Sequence, residues 1–164
     1  MTVMGIILDI LTVAGGIYVI YIAYKVFSAI HRKEMSFRET MDLCNMPIIT
    51  FINNGYKVNF ILDTGSSKSV IDKSVLDKLS YKDIEGTGII YGMDGKKNTV
   101  SFVEMSIEYK NKSYTDNFQV CDMSVPFSNL KADYGVNVHG ILSSTFFQKY
   151  KYILNFDELI AYSK

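Results

Sequence analysis

The sequence predicts a mostly β domain with one or two short helices, preceded by a single apolar helix at the N-terminus. Three observations carry that expectation. Residues 4–24 are apolar with one interruption, Asp9. From residue 46 onward the pattern changes to short alternating or continuous apolar runs, separated by turn residues. The composition, 13% aromatic with 11 Gly and 2 Pro, suits strands around a globular core and argues against disorder.

The N-terminal run comes first. About 21 residues at ~1.5 Å each span roughly 30 Å, the thickness of a bilayer's hydrocarbon core. Asp9 lies near the N-terminal end, where it can reach the interface and meet the positive end of the helix dipole. Tyr18, Tyr21 and Tyr24, followed by Lys25, Arg32 and Lys33, suit the opposite interface. Residues 1–10 hold no Lys or Arg, and no clear small-x-small cleavage site precedes His31, so a cleaved signal peptide fits poorly. Residues 1–33 are therefore expected to form a transmembrane anchor. The basic flank places the remaining chain of this single-pass membrane protein on the cytoplasmic side.

Residues 34–45 mix charge with scattered apolar side chains and read as a helical extension or tether. Residues 48–52 read as a strand, and Asn53-Asn54-Gly55 as a hairpin turn. Residues 57–62 alternate and then become fully apolar, as a strand entering a core does. Ser69-Val70-Ile71 forms the next strand. Asp72 is placed to cap a short helix to Leu79, with Val75, Leu76 and Leu79 facing inward. A second hairpin runs over residues 86–103 with its tip at Met93-Asp94-Gly95. A third joins residues 105–109 to 114–121. Residues 122–138 read as an irregular polar connection, and 138–142 re-enter the core. Ser143 or Ser144 then caps a short helix ending near Lys149, and a closing hairpin follows.

Charge and metal chemistry narrow the function. Setting aside Lys25, Arg32, Lys33 and Asp9 leaves 14 basic and 16 acidic residues over 34–164, so no basic stripe offers a nucleic-acid surface. Cys44 and Cys121 are far apart and, with His31 and His139, complete no metal-ligand spacing. They read as small, unpaired core residues. No metal or cofactor is expected.

The candidate site is Leu62-Asp63-Thr64-Gly65-Ser66-Ser67: a carboxylate at the end of a buried strand, a glycine that frees the turn, and small hydroxyls on either side. By itself an Asp-Thr-Gly is a common turn. Its company changes the reading. The stretch from Ile61 to Ile71 resembles the active-site segment of the retropepsin-like, single-lobed aspartic proteases. Gly140-Ile141-Leu142 followed by Ser143-Ser144-Thr145-Phe146-Phe147 resembles that family's second signature, and residues 150–162 its closing hairpin.

The resemblance, which covers residues 47–162, implies a closed β-barrel over residues 46–164 and an aspartic endopeptidase. Such chemistry needs two carboxylates close enough to share a proton: one activates water, the other polarises the scissile carbonyl. This chain holds one Asp-Thr-Gly, and neither Asp133 nor Asp157 lies in such a motif. The second carboxylate is expected from Asp63 of another copy, in a twofold homodimer. The resemblance makes Asp63, Thr64 and Gly65 catalytic, with Thr64 bonding across the axis. It puts Ser66 against the carboxylate, where it also meets the polypeptide substrate. It also makes Tyr91, Gly92, Met93, Asp94 and Gly95 a substrate-covering flap. His139, beside the second signature, has no catalytic counterpart in the family and reads as structural. One departure stands out. Ser143 replaces a glycine usual in the family, and is expected to crowd the loop or strain its own backbone. That departure supports the alternative reading, a weak or inactive peptide-binding module on the same fold.

Overall fold

The computed structural model describes residues 15–22, 34–91 and 97–164, with 89–91 and 97–98 followed through their backbone. It divides into two units, Met1–Lys33 and Glu34–Lys164. In the first, residues 15–22 are helical, and the side chains of Ile17, Tyr18, Val19, Ile20, Tyr21 and Ile22 are exposed. No helix among the described residues is long and apolar enough to cross a membrane. Most of the span expected over residues 4–24 lies outside them.

The second unit opens with helix α1 (Phe37–Cys44), capped by the Ser36 hydroxyl and ended by Asn45 at φ 56°. The segment expected as a tether is packed. Phe37, Thr40 and Cys44 are buried, and Phe37 meets Phe156 edge-on at 5.1 Å. Met35 and Thr50 exchange two hydrogen bonds, tying the lead-in to the first strand.

Six strands then close a barrel. β1 (Ile48–Asn53) pairs antiparallel with β2 (Tyr56–Asp63) through a two-residue turn in which Asn54 and Gly55 take φ 45° and 82°. Both central residues of this turn type need positive φ, and Asn-Gly supplies it at low cost. β3 (Ser69–Asp72) follows the Asp63 loop and leads into a 3₁₀ turn (Lys73–Lys78). Asp72 precedes that turn without capping it. Its carboxylate accepts instead from Ser74 Oγ and, at 3.0 Å, from the Met123 N–H. The turn buries Val75, with Leu76 and Leu79 packed against the core.

β4 (Lys82–Tyr91) and β5 (Lys97–Tyr109) form the second hairpin, with a bulge between Ile84 and Gly88 where Gly86 takes φ 105°. The strand begins four residues earlier than the sequence suggested, and β5 is one unbroken run of 13 residues. That length lets one edge of β5 carry β4 along its first half and meet β1 at Ile52↔Glu108. The other edge pairs with β6 (Lys112–Cys121) across a turn with Lys110 and Asn111 at φ 48° and 62°.

Residues 122–138 depart from expectation. They contain an 11-residue helix, α2 (Ser124–Tyr134), where an irregular connection was read. Pro126 lies in its first turn, where the backbone N–H groups have no intrahelical partner, so proline costs nothing there. Asp122 Oδ1 takes the Ser124 N–H at 3.0 Å, and Gly135 closes the helix at φ 70°. Phe127 is its buried side chain, so no wide apolar stripe marks the helix in sequence. β7 (Gly140–Ser143) then inserts between β2, to which it is parallel, and β3, to which it is antiparallel. Helix α3 (Ser144–Tyr150) and a separate hairpin of β8 (Tyr152–Asn155) with β9 (Ile160–Ser163) complete the unit. Among the described residues of this unit, three α-helices and a 3₁₀ turn stand where one or two helices were expected.

The barrel order is β1-β2-β7-β3-β6-β5 and back to β1, with β4 added on β5. Its centre is aromatic: Phe51, Phe60, Phe118 and Phe146 are fully buried, and Phe51 meets Phe60 edge-on at 5.8 Å. A second apolar cluster joins Cys44 and Ile48 to Phe127, Val136 and Val138, seating α2 beside α1. Both cysteines are free, Cys44 buried and Cys121 half-buried.

Candidate active site

β2 carries Asp63 to the barrel's rim. Leu62 is buried and Asp63 half-buried, and the chain leaves the sheet over residues 64–68 before β3 begins. The loop holds its own carboxylate. Gly65 N–H donates to Asp63 Oδ1 at 2.8 Å, and Ser66 N–H donates to the Asp63 carbonyl at 3.4 Å. A Cβ at residue 65 would stand 3.2 Å from that Oδ1. A side chain here would press on the carboxylate oxygen, which glycine leaves clear.

The second signature supports this loop from below. β7 runs parallel to β2 and ends level with it, Ser143 opposite Asp63. Ser144 then donates twice to the Ser66 carbonyl, through N–H at 2.9 Å and Oγ at 2.8 Å. Thr145 Oγ1 donates to the Ser67 carbonyl at 3.1 Å. The two segments are held together at the Ser66 and Ser67 carbonyls. These contacts were not legible beforehand, because in sequence Ser144 reads as a helix cap and Thr145 as a helix residue, with nothing to link either to the Asp63 loop.

Ser143 neither strains nor crowds. Its backbone is extended, φ −94° and ψ 169°, a conformation open to any residue. Its hydroxyl caps α3 by accepting the Phe146 N–H at 3.4 Å, lies 2.8 Å from Thr145 Oγ1, and lies 3.2 Å from Ser69 Oγ. Ser69 in turn donates to Asp116 Oδ2 at 2.9 Å.

The other expected site residues are distributed as follows. Thr64 is exposed at the loop's tip. The Ser66 hydroxyl turns to the Lys68 carbonyl at 2.8 Å within the loop, away from the carboxylate it was expected to meet. Tyr91 ends β4 opposite Lys97, while Gly92, Met93, Asp94 and Gly95 lie outside the described residues. His139 Nδ1 accepts the Asn59 N–H at 2.9 Å, and the Asn59 carbonyl accepts the His139 N–H at the same distance. The imidazole thus stitches the approach to β7 onto β2. A cavity of about 380 Å³ opens elsewhere, between residues 34–36 and the β5–β6 turn, and no residue of the Asp63 loop lines it. Where β3 ends, opposite Asp72, burial and then the Asp72 carboxylate push the Cys121 thiol up.

The family model described as aspartyl protease matches residues 49–146, more than half of the chain and both signatures together. The chain belongs to the aspartyl protease family. Two solved structures are similar to this aspartyl protease. One is EIAV protease complexed with the inhibitor HBY-793, at 22% identity and TM-score 0.49, covering 66% of this chain and 90% of that one. The other is the retroviral protease-like domain of Ddi1 from Leishmania major, at 10% identity and TM-score 0.56, covering 73% of this chain and 88% of that one. The second likeness shows the fold, which is the retroviral-protease type. No curated protein matches the chain.

Proposed function

We propose that this chain is a membrane-anchored aspartic endopeptidase that works as a homodimer. One observation carries the reading: Asp63 stands at a barrel rim on a loop whose glycine clears its carboxylate and whose carbonyls are pinned by the second signature. A single chain supplies one such carboxylate. Two copies facing each other across a twofold axis would bring the pair together, and like charges at about 3 Å hold one proton between them. The ionised member takes a proton from a bound water, which attacks the scissile carbonyl. The protonated member donates to the carbonyl oxygen as charge develops there. Thr64, at the exposed tip, would bond across the axis. Ser66 and the β4–β5 hairpin from Tyr91 to Gly95 would meet the polypeptide. The apolar run over residues 4–24 supports an anchor with the protease domain on the cytoplasmic side, and confinement to a membrane would favour pairing.

The full chain in a bilayer is assayed against a peptide library beside Asp63→Asn. The reading requires turnover by the wild type and background hydrolysis by the variant; equal turnover rejects it. Co-expression of the two in equal amounts tests the pairing. Activity well below half of the wild-type level supports a shared site, whereas half is the yield of independent chains.

A further inference from the structure

We infer that Asp116, on β6, is a positioning residue for the Asp63 loop, acting through Ser69, Ser143 and Thr145. This rests on the peptidase reading for its catalytic consequence, though the linkage itself is structural. Ser69 and Ser143 are 1% and 0% exposed, on adjacent strands, with hydroxyl oxygens 3.2 Å apart. Each hydroxyl has one proton to give. Left to themselves the two have equivalent arrangements, Ser69 donating to Ser143 or the reverse, and nothing fixes the order.

The flanking groups remove that freedom. As a carboxylate Asp116 only accepts, so its 2.9 Å contact commits the Ser69 proton to it. Ser69 Oγ is then an acceptor, and the Ser143 N–H points to it at 3.4 Å. At the other end the Thr145 proton is committed to the Ser67 carbonyl. Thr145 Oγ1 must therefore accept, and the 2.8 Å contact is the Ser143 hydroxyl donating to it. With both protons committed outward, neither hydroxyl donates across the 3.2 Å contact, and the Ser143 N–H on Ser69 Oγ is the bond that joins the two halves of the row. The row starts at a carboxylate on β6, crosses β3 and β7, and ends on a carbonyl of the loop that carries Asp63. Lys149 lies 3.7 Å from the other Asp116 oxygen, outside the row.

The test compares Asp116→Leu, Asp116→Asn and Lys149→Met in the full chain. Hydrogen exchange is followed at the Ser144 amide, which donates to the Ser66 carbonyl, and at the Gly65 amide, which donates to Asp63. Asp116→Leu is expected to speed exchange at both by about tenfold, the low end of what a hydrogen bond to a charged group contributes. It is expected to lower kcat by about 10²-fold with KM little changed, since misplacing a reacting group by about 1 Å costs that much. Asp116→Asn keeps an acceptor oxygen for Ser69 and is expected to restore both. Lys149→Met is expected to leave both as in the wild type. Unchanged exchange in Asp116→Leu, no rescue by Asn, or a full copy of the Leu effect by Lys149→Met would each overturn the assignment. Should Asp116→Leu not fold, Ser69→Ala cuts the same link without removing the charge and is read by the same criteria. Absence of wild-type turnover would reject the peptidase and leave the exchange result to decide on the row.

Discussion

Asp63 and Ser143 end two parallel strands side by side, one delivering the carboxylate and the other the floor beneath it. Because Ser143 is extended and its hydroxyl caps α3, serine at this position is part of the support and does not compromise it. The alternative of an inactive module rested on this residue and on the single half-site in one chain. The unstrained backbone of Ser143 removes the first of those motives.

Replacing Ser143 by the family's glycine is therefore expected to bring no gain. Ser143→Ala removes a cap and a buried hydroxyl that two neighbours use, and should lower unfolding free energy by about 1–2 kcal/mol. Ser143→Gly should cost a comparable amount and leave turnover no higher than the wild type. Denaturant unfolding and peptide turnover of both variants check this; a more active Ser143→Gly would return serine to the role of a defect.

Gly140 is a second expected point of failure. A Cβ there would stand 2.4 Å from the Val70 carbonyl oxygen and 2.6 Å from the Phe60 ring. The carbonyl belongs to the neighbouring strand and cannot rotate away. Gly140→Ala should destabilise the domain by about 1–3 kcal/mol or more, read as a lower denaturation midpoint. It should also disturb the β2–β7 pairing that levels Ser143 with Asp63.

Helix α1 belongs to the folded domain, and Phe37 tests it. The side chain is 2% exposed and belongs to the main core cluster that also holds Phe51 and Phe146. Phe37→Ala should cost about 3–5 kcal/mol. A loss under about 1 kcal/mol in denaturant unfolding would show that residues 34–45 merely tether.

Tyr152 makes the opposite prediction. Its hydroxyl is buried and has no hydrogen-bond partner among the described residues. Burial, with Tyr109 and Tyr114 adding to it, pushes the phenol far up from its ordinary value of 10.0. Tyr152→Phe should raise stability by about 1 kcal/mol by removing an unmet polar group. The sign with pH follows from the raised value. Below about pH 10 folded and unfolded phenols are both protonated, and no stability is lost. Above it the unfolded chain ionises while the folded one does not, so wild-type stability falls as pH rises. Thermal unfolding between neutral pH and about pH 11 should show a shallower alkaline decline in Tyr152→Phe.

The sequence by itself determined what is local. Asn54-Gly55 set a hairpin because both residues tolerate positive φ. Apolar runs and alternation marked β1, β2 and β6, though they split β5 into two strands, and the apolar run before Asp63 placed a carboxylate at a strand end. Tertiary structure decided what distant segments settle between them. Asn59 and His139 are 80 residues apart, yet their mutual hydrogen bonds align β2 with the approach to β7. No turn or periodicity encodes a parallel partner at that distance; it is selected by burying both strands in one aromatic core. The same holds for α2, which read as an irregular connection and whose one buried side chain, Phe127, lies in a cluster with Ile48 and Val138. Asp116 reads in sequence as an ordinary polar strand residue. Only closure of the barrel sets its oxygen against Ser69, because a hydrogen-bonded row across three strands exists nowhere in the chain until the strands are side by side.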